Sequence, residues 1–139
     1  MGCPKPQKIF MSVFIDGTGF RISESKFDFF FGRVTSTPEN TRRSVQNVQC
    51  LRQFGIREEA EGREQLMQIF RDGLSAPERL PRREDRYGVT IRRVVQLENN
   101  LISGELEIFY LYRNGDLSSL PEVTSLIPKT YDQKNDATD

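Results

Sequence analysis

Apolar residues alternate with small or polar ones over residues 9–15, which predicts a first β-strand closed by the turn formers Asp16-Gly17-Thr18-Gly19. Residues 20–25 continue the connection or add a short edge piece. Four of the ten phenylalanines then fall within Phe27-Asp28-Phe29-Phe30-Phe31, and residues 26–34 read as a second strand. Alternation sends Phe27, Phe29 and Phe31 to one face and Phe30 to the other, beside Asp28 and Gly32. Large rings on both faces require cover on both, so Phe30 is the expected anchor of an interface.

Helical periodicity follows. Thr37 suits an N-cap, Pro38 the first turn and Glu39 the positive end of the helix dipole, while Val45, Val48, Leu51 and Phe54 repeat every three residues until Gly55. A second helix is predicted over residues 57–71, with Leu66, Met67, Ile69 and Phe70 burying its C-terminal half. Residues 75–86, with Pro77, Pro81 and many charges, read as an exposed loop. Residues 89–97 and 102–112 form a hairpin across Glu98-Asn99-Asn100, with Leu106, Ile108, Tyr110 and Tyr112 inward and Glu105, Glu107, Phe109 and Leu111 outward.

Residues 117–130 hold apolar side chains without a usable period, bracketed by Pro121 and Pro128, and read as an extended segment that drapes or docks. The expected organisation is a flexible arm (1–8), one α+β domain (9–116) and an extended tail (117–139). The expected fold is an antiparallel sheet in ββααββ order with two helices on one face and extended termini.

Composition narrows the chemistry. Twenty Lys plus Arg balance twenty Asp plus Glu, so no long-range field draws the chain to nucleic acid or anionic lipid. Fifteen of the twenty cations are Arg, which favours planar and bidentate contacts. Histidine is absent, removing the commonest general base and metal ligand. Cys3 and Cys50 are too few for a disulfide framework or a zinc site, and Cys50 lies on the apolar stripe of the first helix as packing. With no apolar run near the length of a membrane helix, a cytoplasmic protein without membrane contact or cofactor is expected. Met1-Gly2-Cys3 opens like an acylation signal, but Pro6 stands where that signal needs Ser or Thr.

Phe14-Ile15-Asp16-Gly17-Thr18 resembles the Asp-x-Asp-Gly-Thr nucleophile motif of haloacid-dehalogenase-like phosphatases, with Phe14 in place of the attacking carboxylate. No phospho-enzyme can form on it, and Asp16 and Gly17 read as turn residues. The function expected from these features is a non-enzymatic structural or protein-interaction subunit of a larger assembly, such as a phage or viral particle or an accessory complex. It docks on protein partners or on copies of itself through Phe30, Leu117, Leu120, Val123, Leu126 and Ile127. The alternative is a small RNA- or DNA-binding module using Arg82, Arg83, Arg86, Arg92 and Arg93, whose guanidiniums can grip phosphate and stack on bases.

Overall fold

The computed structural model describes residues 13–131. The predicted arm, the start of the first predicted strand, Gly2, Cys3 and the last eight residues lie outside them. The elements are β1 (Phe14–Asp16), β2 (Arg21–Ser23), α1 (Lys26–Phe30), α2 (Pro38–Gln53), a 3-10 turn (Glu58–Ala60), α3 (Gly62–Gly73), β3 (Glu78–Asp85), β4 (Gly88–Glu98), β5 (Ser103–Arg113) and β6 (Glu122–Thr130). They form a mixed α+β fold. Its six-stranded sheet runs β1-β2-β6-β5-β4-β3, with β2 and β6 parallel and every other pair antiparallel.

This corrects the expected antiparallel ββααββ arrangement at three places. The Phe-rich stretch is a short helix, not a strand. A helix puts Phe27 and Phe30 on one face, three residues apart, and both are about 1% exposed, with Phe31 buried next to them. A strand would have split these rings between two faces. Gly32, at φ +82° and packed against Val48, ends the turn where a side chain would meet Val48 at 2.9 Å. Phe30, expected as an interface anchor, is therefore a core residue.

The second correction is β3, which takes up residues expected as a loop. It is an edge strand with neither face buried, so no apolar alternation marks it. Pro81 lacks an N–H, and the register with β4 shifts between Arg79 and Arg83.

The third is β6, inside the expected tail, which sits between β2 and β5 near the middle of the sheet. A bulge opposite Phe109 and Tyr110 breaks its alternation, so Val123 and Leu126, three residues apart, both face inward at 0% and 1% exposure. Both are core, and neither is available to an interface.

The remaining elements match the expectations closely. Thr37 accepts from the Asn40 N–H at 3.0 Å with Pro38 behind it, and α2 ends just before Gly55. Leu51 is fully buried, Val48 and Phe54 are half-buried, and Val45 is exposed, its expected place taken by Ser44, whose hydroxyl donates to the Phe29 carbonyl at 2.7 Å. The helix expected over 57–71 begins later, at Gly62, and buries Leu66 and Phe70. The β4–β5 hairpin pairs along its full length, from Gly88↔Arg113 to Glu98↔Ser103.

All three helices pack on one face of the sheet. The core between them joins Phe20, Phe27, Phe30, Phe31 and Phe70 to Ile22, Leu106, Ile108, Tyr110 and Leu126. Edge-on ring pairs at 5.9 Å join Phe20, just before β2, to Phe70 of α3 and Phe27 to Phe30 within α1, and Phe30 meets Phe70 at 6.1 Å, linking α1 to α3. Full burial of each such ring contributes about 1.5–3 kcal/mol. Glu105, Glu107, Phe109 and Leu111 lie on the opposite face, which no described helix covers.

Candidate functional site

Register assigns that second face its residues. Arg79 of β3, Thr90 and Arg92 of β4, Glu105, Glu107 and Phe109 of β5, and Ile127 and Lys129 of β6 lie on it in adjoining rows. Glu105 and Glu107 are only 5% and 8% exposed, although no helix lies over them. Their cover is polar. Arg79 grips Glu105 with both terminal nitrogens, at 2.9 and 3.2 Å, and reaches Glu107 at 3.4 Å. Arg92 donates to Glu107 at 3.4 Å and to the Leu80 carbonyl at 2.9 Å, and the Tyr131 hydroxyl lies 2.9 Å from both Glu105 and Gln96.

Two carboxylates at i and i+2 point the same way along a strand, so each would repel the other without these cations. The Arg79 guanidinium holds the Glu105 carboxyl below the usual carboxylate range, against burial that pushes it up, and Tyr131 adds to the lowering. The same pairing raises Arg79 further above its ordinary value. The result is a charged lattice fixed in place across three strands, with apolar Phe109, Leu111 and Val94 in the gaps. Leu111 and Val94 are 7% and 8% exposed yet lie outside the helix-side core. A further ion pair, Arg113 with Glu122 at 2.9 Å, and Arg21 stacked 3.8 Å over Phe14, extend the pattern toward β1.

Of the expected interface residues, only Leu117, Leu120 and Ile127 are exposed, at 47%, 49% and 42%. Ile127 lies on the helix-free face; the two leucines belong to the β5–β6 connection. The expected arginine set is divided. Arg82, Arg83 and Arg92 line one concavity beside β3, whereas Arg93 points to the helix side and donates to the Ala76 carbonyl at 2.8 Å. Arg86 lies over its neighbour Tyr87 at the β3–β4 turn. Among the described residues no group of three or more acidic or thiol side chains is arranged to hold a metal ion. Cys50 is half-buried, and burial pushes its thiol up, away from reactivity.

The Glu105–Arg79–Glu107–Arg92 lattice was not foreseen. Its signal was present in the outward pair Glu105 and Glu107 beside Phe109 and Leu111, but the partner Arg79 lay in a segment read as loop.

No family model matches the chain, and no curated protein does. A solved structure does resemble it: a chain of a contact-dependent growth inhibition toxin–immunity protein complex from Klebsiella pneumoniae 342, with a TM-score of 0.63 and 18% identity, over 78% of this chain and 98% of that one. At that identity the likeness is one of fold. Among the described residues no helix is long and apolar enough to cross a membrane.

Proposed function

We propose that the chain is a protein-binding module, acting by binding and without catalysis, that receives a partner protein on the helix-free face of its sheet. The partnership is of the kind named for its structural neighbour, one member of a toxin–immunity pair holding the other. The observation that carries this reading is the lattice of Arg79, Arg92, Glu105 and Glu107 with Phe109 among it. Charges of both signs held at set positions favour one partner and repel others, and arginines and aromatics are the residues that dominate binding energy. The exposed Ile127 adds apolar area on the same face.

Photo-crosslinking in the cell of origin tests this. With benzoylphenylalanine at Ile127, a discrete heavier adduct is expected; at Gln49, exposed on α2, none is expected. An adduct of twice the chain's mass would assign a second copy of this chain to the same face. Adducts from Gln49 alone, or from neither position, contradict the reading.

A further inference from the structure

Beside β3 the helix-free face holds a cleft of about 320 Å³, lined by Pro81, Arg82, Arg83, Thr90, Arg92 and Phe109, where the register with β4 breaks between Arg79 and Arg83. Most of its wall is carbon. Glu78 pairs with Arg93 on the helix side of the sheet and holds the Arg82 guanidinium there, at 2.7 and 3.1 Å. Arg92 is committed as well, to Glu107 at 3.4 Å and to the Leu80 and Pro81 carbonyls at 2.9 and 3.4 Å. That leaves Arg83, directly opposite Thr90, its side chain 68% exposed with one contact, 3.6 Å to Asp85. Thr90 is the unusual member. It is only 4% exposed and lines the cleft, yet among the described residues nothing hydrogen-bonds to its hydroxyl. Buried hydroxyls are rarely left without a partner, and this one borders the hollow from which a partner can come.

From this we infer that the cleft seats one tyrosine side chain of the partner protein, carried beside a carboxylate that meets Arg83. The inference rests on the docking proposed above and names what that face recognises. Pro81 and Phe109 offer apolar surface to a ring, and a ring enclosed in a pocket carries a large share of binding energy. The phenol and the Thr90 hydroxyl can each donate and accept, so either orientation of the bond satisfies both. A volume at the lower end of small-molecule sites suits a single side chain and not a length of chain. Charge at the rim sets the neighbour. Glu105 and Glu107 lie under arginines, their side chains 6% and 11% exposed, whereas Arg83 is open and Asp85 engages only one of its five N–H donors. A carboxylate flanking the tyrosine is therefore attracted, and a cation in the same place is repelled.

Amide chemical shifts of the isotope-labelled chain, titrated with four acetylated and amidated dipeptides, test it: tyrosyl-glutamate, phenylalanyl-glutamate, tyrosyl-lysine and alanyl-glutamate. Tyrosyl-glutamate is expected to shift the Arg83, Thr90 and Phe109 amides saturably, with a Kd of about 1 mM or below. Loss of the phenol hydroxyl or reversal of the flanking charge should weaken binding at least about threefold, and alanyl-glutamate should leave these amides unmoved. Two variants assign the contacts. Thr90→Val keeps the branched shape and should bind the tyrosyl and phenylalanyl peptides equally; Arg83→Gln should bind the glutamyl and lysyl peptides equally. The ranking on the wild-type chain needs no variant, so it decides even where Thr90→Val fails to fold. The inference is overturned if tyrosyl-glutamate shifts none of these amides at about ten times that concentration, if alanyl-glutamate binds as tightly, or if folded Thr90→Val keeps the preference for tyrosine. It is overturned also if the same amides shift as the chain alone is concentrated, which would seat a second copy there. The crosslink at Ile127 tests docking on this face separately, so each reading can fail without the other.

Discussion

The Tyr110 hydroxyl donates to the Phe70 carbonyl at 2.6 Å from a fully buried ring, fastening the middle of β5 to the last turn of α3. Burial pushes its phenol well up, so it stays a neutral donor. Tyr110→Phe should lower stability by about 1–2 kcal/mol in urea unfolding, since the ring remains and only the bond is lost. Gly73 explains the closeness of the helix: an added Cβ would lie 2.4 Å from that hydroxyl and 2.8 Å from Ile108. Gly73→Ala should therefore cost about 1–3 kcal/mol by the same measurement. Glu105 makes a pH-dependent contribution. Its folded carboxyl titrates below the ordinary value of about 4.3, so the stability it supplies is present above that pH and is lost as pH falls through the folded value. Glu105→Gln should lower the thermal midpoint at neutral pH and flatten its decline below about pH 4.5. A variant with an undiminished acid decline would show that the pairing with Arg79 is not what that decline reports. The inward setting of Leu106, Ile108, Tyr110 and Tyr112 was legible from alternation alone, because β5 is long and regular.

Elements with a single strong pattern declared themselves. The capped helix α2 and the β4–β5 hairpin needed no tertiary information, whereas α1, β3 and β6 did. In α1 the order of five residues is compatible with both periods, and only Phe70 and Phe20 on neighbouring elements decide that Phe27 and Phe30 turn the same way. An edge strand such as β3 carries no burial pattern, and the bulge in β6 shifts its inward positions from a spacing of two to three. Thr37→Ala should cost about 1 kcal/mol through the lost cap, seen as a lower thermal midpoint. Ending the chain after Leu120 is a stronger test. Removal of β6 leaves β2 and β5 with unpaired edges and uncovers Leu106 and Ile108, so the truncated chain should lack cooperative unfolding. A truncated chain that melts sharply would mean the segment is an appendage after all.

At the scale of the molecule, an α+β class was legible from the succession of patterns, but the mixed sheet was not. The parallel pairing of β2 with β6 joins residues about a hundred positions apart, and neither strand signals it locally. That closure puts three helices on one face and leaves the lattice of arginines and carboxylates on the other. Surplus apolar surface, expected from the rings and the tail, is largely absent because α1 and β6 carry most of it into the core. What the helix-free face presents, where we propose that a partner docks, is a charged mosaic with a few apolar residues. Its role is measured most directly by the affinity of the crosslinked protein for two variants of the chain, Ile127→Arg on the helix-free face and Gln49→Arg on α2. The account predicts at least a tenfold loss, about 1.4 kcal/mol, for Ile127→Arg and wild-type affinity for Gln49→Arg. Equal affinities for both, or a loss confined to Gln49→Arg, would contradict it.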